Sequence, residues 1–146
     1  MNNIAGLYVY PAVPNPTTKM FTIATENTVY PGYPVVLSSG KIAVAASGQS
    51  SLVGIAAGYG TAGQTIPVWV ADDKTTFFIK SKAGSVAVTA IGSTYDLDLT
   101  SDVYTIDTSS STQNLFLVLG KHPRESWGAT DAIWLEVKIV VSQVEQ

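Results

Sequence analysis

Few residues in this 146-residue chain have the type and spacing to do chemistry. Acid–base and nucleophilic catalysis need a partnered constellation, most often including histidine. The one histidine, His122, lies in Gly120-Lys121-His122-Pro123 at the end of an expected strand, where it reads as solvated. No Gly-x-Ser-x-Gly elbow and no Walker A loop is present, and the serines cluster in turns. Gly58, Gly60 and Gly63 match the spacing Gly-x-Gly-x-x-Gly, but Gln64–Ala71 alternates like a strand and contains Pro67. The helix N-terminus that holds a phosphate is therefore not expected. Asp96, Asp98, Asp102 and Asp107 fall at positions 1, 3, 7 and 12 of a calcium loop. Ser101 stands where that loop needs glycine, and no bidentate glutamate closes it. Alternation with Tyr95, Leu97 and Leu99 instead predicts that Asp96 and Asp98 form the wet face of a strand. Asp72 and Asp73, as adjacent acids in a turn, project apart and suit local backbone bonds better than glycoside hydrolysis. The chain is read as a non-enzyme, with no catalytic residue, metal ligand or cofactor.

The stronger anomaly is aromatic. Tyr8, Tyr10, Tyr30, Tyr33, Tyr59, Trp127 and Trp134 lie near glycines, prolines or expected outer faces. Sugar-binding modules and protein interfaces both use such rings, and core filling competes with either use.

The elements that must position these residues are short. Apolar alternation punctuated by turn residues predicts strands at Met20–Ala24, Pro34–Ser38, Lys41–Ala46, Leu52–Ala57, Thr65–Ala71, Thr75–Lys80 and Ser85–Thr89. Further strands are expected around Tyr95–Leu99 and at Val103–Asp107, Asn114–Gly120 and Ile133–Val141. In the last of these, Ile133, Leu135, Val137, Ile139 and Val141 point one way. Glu136, Lys138 and Trp134 share the other face, where Trp134 should meet a loop, a neighbouring strand or a second subunit. Turns are expected at Pro31-Gly32, Ser39-Gly40, Ser47-Gly48, Ala62-Gly63, Asp72-Asp73, Ala83-Gly84 and Ile91-Gly92. No segment keeps helical periodicity for three turns, and Pro123–Trp127 makes one helical turn at most. The fold class is all-β, a small barrel or sandwich.

Charged residues make up 13% of the chain, about half the usual share, while hydrophobic residues make up 46%. So little surface charge favours covering part of the surface with a partner. The net charge is −3 and the eight lysines and arginines are scattered, so nucleic acid is not an expected partner. There is no cysteine. No apolar run approaches the length of a membrane helix, so no membrane partner is expected. Met1-Asn2-Asn3-Ile4 carries neither a basic nor an apolar signal region, which predicts synthesis and folding in a cytoplasm.

The first twenty residues differ from the rest. Pro11, Pro14 and Pro16 crowd one window, directly after the β-forming Leu7-Tyr8-Val9-Tyr10. One reading divides the chain into an N-terminal arm, residues 1–20, and a β-domain, residues 21–146. Leu7, Tyr8, Val9, Tyr10, Pro11 and Pro14 of the arm would then grip a capsid or a neighbouring subunit by adding a strand to its sheet. The other reading is a native first strand followed by a proline turn. On the arm reading, deleting residues 1–20 should leave the barrel folded.

Two stretches carry a resemblance. "PGYPVVLSSGKIAVA" and "SLVGIAAGYGTAGQTIPVWVA" span Pro31–Ala71, and "AIGSTYDLDLTSDVYTIDTSSSTQNLFLVLGKHP" with a closing "IWLEVKIV" forms the second half. Over roughly residues 31–141 this wording resembles the small capsid decoration, or cement, proteins of tailed bacteriophages. The resemblance implies a β-barrel or β-tulip-like fold, assembled as a homotrimer on the outer capsid surface of a virion. There it would bind the major capsid protein and stabilise the shell by mass action. Trp127 and Trp134 are candidate subunit-interface residues. A carbohydrate- or receptor-binding β-module of a tail fibre is the alternative. A trimeric dUTPase-type enzyme is a third reading, disfavoured because Arg124 is the only arginine and the tail has no glycine-rich motif.

Overall fold

The structure, a computed structural model, describes residues 7–143. Among the described residues thirteen short strands follow one another. They are β1 (Val9–Pro11), β2 (Thr18–Thr22), β3 (Thr28–Val29), β4 (Pro34–Ser38), β5 (Lys41–Val44), β6 (Gly54–Ala56), β7 (Gly60–Thr61) and β8 (Thr65–Val70), then β9 (Phe77–Lys80), β10 (Thr94–Thr100), β11 (Val103–Asp107), β12 (Phe116–Lys121) and β13 (Trp134–Ile139). The fold is all-β. Among the described residues the one helical element is a 3-10 turn at Val88–Ala90, and no helix is long and apolar enough to cross a membrane.

Two larger sheets divide the chain between them. The first half supplies the five-stranded order β2-β8-β6-β4-β5, and the second half supplies β9-β13-β12-β10-β11, to which β1 adds a sixth strand beside β9. Every ladder pair within the sheets is antiparallel. Both sheets curl back on themselves. In the first, Ile23 just beyond β2 bridges Ile42 of β5 in parallel, and the Ala24 N–H donates to the Ile42 carbonyl at 2.8 Å. In the second, Ser81 just beyond β9 bridges Ile106 of β11, and the Lys82 N–H donates to the Ile106 carbonyl at 2.8 Å. Curling of this kind leaves less open sheet edge for unwanted pairing.

The burial pattern follows the pleat. In β8 Ile66, Val68 and Val70 point inward, and in β13 Leu135, Val137 and Ile139 do the same. One apolar cluster, with Ile23, Val35, Ile42, Val53, Ile66 and Val68, fills the first curled sheet. A larger one is built around Phe77, Ile79, Leu97, Ile106, Phe116 and Leu135 and also takes in Leu52, Ile55 and Ala71. Those three come from the first half, so the two halves share a core. Val141 of the expected inward row is 39% exposed, because β13 ends at Ile139.

One expected strand is absent, one upper limit holds, and one of two readings of the N-terminal segment fits the described residues. Ser85–Thr89 is no strand: it turns through the 3-10 segment, and its ends bond to the β12–β13 connection through Ser85 N–H to Ala129 O and Gly128 N–H to Val86 O. Pro123–Trp127 forms hydrogen-bonded turns, within the one helical turn expected there at most. Residues 1–20 contain no free arm among the described positions. Val9, Tyr10 and Pro11 pair with Ile79, Phe78 and Phe77 of the chain's own β9, and Val9 is fully buried. Strand β2 crosses residue 20, so the boundary between residues 1–20 and 21–146 falls inside a strand. Met1–Gly6 lie outside the described residues.

Candidate functional site

The acids that match part of the spacing of a calcium loop are turned to building loops. Asp96 is 5% exposed rather than wet. Its carboxylate accepts the Ser110 hydroxyl at 2.6 Å and the backbone N–H groups of Gln113, Asn114 and Thr112 at 2.8, 2.9 and 3.1 Å. Burial alone would raise its pKa, but the four donors outweigh burial and hold it below the ordinary carboxylate range. Asp98 is 9% exposed and accepts from Thr100 Oγ1 at 2.7 Å and from Lys82 Nζ at 3.1 Å. Burial again pushes upward, and the Thr100, Lys82 and Ser47 contacts bring its pKa down. Lys82 also lies 3.9 Å from Asp107, so it sits between two carboxylates. The alternation in β10 placed both aspartates on one side correctly. What it could not show is that Ser110–Asn114 and Ser47 cover that side. Asp102 lies in the turn between β10 and β11, and among the described residues no three His, Cys, Asp or Glu side chains are gathered as metal ligands.

The other chemical candidates are also placed. His122 Nδ1 accepts the Arg124 N–H at 3.2 Å, and its ring lies 4.9 Å from that of Phe78. Asp72 accepts the Lys74 N–H at 3.1 Å, a local turn bond, while Asp73 is exposed. Gly60 opens β7 and Gly63 the turn into β8, so a strand follows the glycine cluster. An open depression of about 150 Å³ beside the 3-10 turn, lined by Ser85, Thr89, Tyr95 and Thr108, is smaller than a typical small-molecule site.

The expected gripping residues disperse. Leu7 is half-buried and Pro14 exposed, while Pro11 ends β1. Tyr10 lies between Phe78 and Trp134, with ring centroids 5.4 and 5.3 Å away. Trp134 is 2% exposed: the Tyr10 ring stands edge-on against it, and Glu125 of the preceding β12–β13 connection accepts its backbone N–H. It is therefore no open interface residue of this chain. The Trp134 indole N–H and the Tyr10 hydroxyl are buried without a hydrogen-bond partner. Trp127 is half-buried against the larger core.

One aromatic group remains at the surface. Tyr59 and Tyr30 are 56% and 48% exposed, with ring centroids 5.1 Å apart. Tyr30 leads inward to Tyr33 at 5.5 Å, and Tyr33 contacts Tyr8 at 6.0 Å and the buried Tyr104 at 5.2 Å. The Tyr104 hydroxyl, 2.6 Å from the Ala45 carbonyl, anchors the inner end. Burial first, then the neighbouring Tyr33 and Asp102, pushes its pKa far above the ordinary phenol range.

Backbone chemistry fixes this cluster. Strands β3 and β7 pair Thr28 with Thr61 and Val29 with Gly60, which brings Tyr30 opposite Tyr59 one step further along. Val29 and Gly60 face inward; a Cβ on Gly60 would come within 2.8 Å of Ile23 Cδ1 and Ile66 Cγ2. Tyr30-Pro31-Gly32-Tyr33 is a tight turn closed by the Tyr33 N–H to the Tyr30 carbonyl at 3.1 Å, with Gly32 at φ +88°. Leu7 and Tyr8 press against Gly32 so closely that a Cβ there would lie 2.9 Å from the Tyr8 nitrogen. The sequence flagged Tyr8, Tyr30, Tyr33 and Tyr59 singly. Tyr104 and the pairing of β3 with β7 were missed, since two-residue strands leave no periodic signal.

No protein-family model matches this chain, and no curated protein is significantly similar to it.

Proposed function

We propose that this chain is a structural, non-enzymatic capsid decoration protein. It binds the outer surface of a bacteriophage head, bridges major capsid subunits there and acts as a homotrimer. The supporting observation is the distribution of exposed apolar side chains on a surface poor in charge. Met20, Val88, Ile91, Val103, Leu119 and Val140, with Tyr30 and Tyr59, are 39–60% exposed and come from both halves of the fold. Any one of these is ordinary on a soluble protein. Distributed in this way, they suit a protein that touches several neighbours. The buried acids support the same reading, because Asp96 and Asp98 hold loops in place. A rigid clip that gains stability by mass action needs nothing more chemical.

The test is reconstitution. Purified protein is added to mature heads lacking it, and bound protein and head disassembly temperature are measured. Saturable binding with a higher disassembly temperature supports the reading. Heads that neither bind the protein nor gain stability overturn it.

A further inference from the structure

We propose that the outer face of the β3–β7 pair, centred on Tyr30 and Tyr59, is a binding site for a neutral saccharide. This inference is independent of shell attachment. Four exposed residues lie on that face: Thr28 of β3 and Thr61 of β7, with Tyr30 and Tyr59 one residue beyond the paired ends. Two rings 5.1 Å apart thus stand beside two hydroxyl side chains. A sugar presents weakly polar C–H faces rimmed by hydroxyls, and an amphipathic ring beside neutral hydrogen-bonding groups complements both parts.

Charge selects among occupants. Residues 27–38 and 54–71, which build the face and its support, contain no charged side chain, and the charges beside them are acidic: Glu26, next in the chain, and Asp102, which acts on Tyr33 and Tyr104. An anionic glycan, a phosphate group or an acidic peptide would find no counter-charge there. The Thr61 hydroxyl donates to Gln64 Oε1 at 3.3 Å, so its oxygen still has lone pairs with which to accept. The face is also organised in advance. Gly60 cannot carry a side chain, the Gly32 turn is pressed against Tyr8, and Tyr33 backs the Tyr30 ring. Tyrosine has few rotatable bonds to freeze on binding, so little ordering entropy opposes contact.

The full-length protein, with no heads present, is applied to an array of neutral, sialylated and sulfated oligosaccharides. A retained neutral glycan is then titrated while the tyrosine ring resonances are followed by NMR. The expected result is retention of neutral glycans, with shifts at Tyr30 and Tyr59. Tyr30→Ala and Tyr59→Ala each weaken binding about ten-fold or more, and Tyr59→Phe keeps most of it. Melting temperature confirms that the variants fold, and the ring shifts of the unaltered protein give a readout that needs no variant. Retention of acidic glycans alone, a blank array, or binding unchanged in both alanine variants overturns the proposal. A blank array combined with loss of head attachment in the alanine variants assigns the face to a protein partner instead. That outcome overturns the saccharide site while sustaining the decoration reading.

Discussion

The ring of Tyr10 stands edge-on to that of Trp134, with centroids 5.3 Å apart and planes at 63°. One residue comes from the first strand and the other from the last, so the beginning of the chain covers the outer side of the sheet that its end completes. Val9, next to Tyr10, is fully buried in the larger core.

Removing residues 1–20 should therefore do more than detach an appendage. It deletes β1 and most of β2, empties the Val9 position and uncovers Trp134. Lost burial and ring contact cost at least ~3 kcal/mol. The expected outcome is a lower urea midpoint and red-shifted tryptophan emission, both measurable on the truncated protein. A truncated chain with unchanged midpoint and emission would restore the free-arm reading.

Acid should loosen the loop at Ser110–Asn114 before the rest. The folded pKa values of Asp96 and Asp98 lie below the unfolded value of about 3.9. Stability from these groups is fully present above the unfolded value and is lost as pH falls through the folded ones. Urea midpoints measured from neutral pH to about pH 2 should fall along that limb. Asp96→Asn should flatten part of the fall while lowering stability at neutral pH by ~1–3 kcal/mol.

Alkali should test Tyr104. Its folded pKa is raised well above the unfolded value of about 10. Stability from this group is therefore present below that value and lost as pH rises through the interval between the two. Tyr104→Phe removes the hydrogen bond to Ala45 and should cost ~1–2 kcal/mol at neutral pH. It should also weaken the alkaline dependence, as read by denaturation at pH values above about 10.

Gly32→Ala should perturb the tyrosine face from a distance. The residue holds φ +88°, and the added methyl would crowd the Tyr8 backbone. A loss of ~1–3 kcal/mol is expected, with shifted ring resonances of Tyr8, Tyr30 and Tyr33 in an NMR spectrum.

Much of the framework was legible in the amino-acid pattern, for a physical reason. Pro34–Ser38 and Val103–Asp107 occur with the predicted bounds, because turn residues such as the Ser39-Gly40 pair border them and β-branched residues fill them. Alternation reports which side chains share a face and is silent on whether that face is covered. Asp96 and Asp98 were for that reason expected in the open and are buried by segments distant in sequence, and of the three covers open to Trp134 the structure shows a strand, through Tyr10 of β1. Ser85–Thr89 alternates as a strand should, yet its hydrogen bonds go to a loop at Gly128 and Ala129, and no ladder forms. The tyrosine face depends on a long-range pairing of Thr28 with Thr61 that no local pattern announces.

The partnership of β1 with β9 also bears on the order of events at the ribosome. Val9 pairs with Ile79, so the first strand emerges seventy residues (79 − 9) before its partner exists. At ~5–20 residues per second that is a wait of roughly 4–14 s, long compared with hairpin closure. Within that interval the β2–β8 sheet gains its last strand, since β8 ends at Val70, nine residues (79 − 70) before Ile79. Leu7-Tyr8-Val9-Tyr10 must meanwhile stay unclaimed, a sticky strand on a nascent chain. Pro11, Pro14 and Pro16, which lack amide donors, make the stretch after it a poor template for pairing between growing chains.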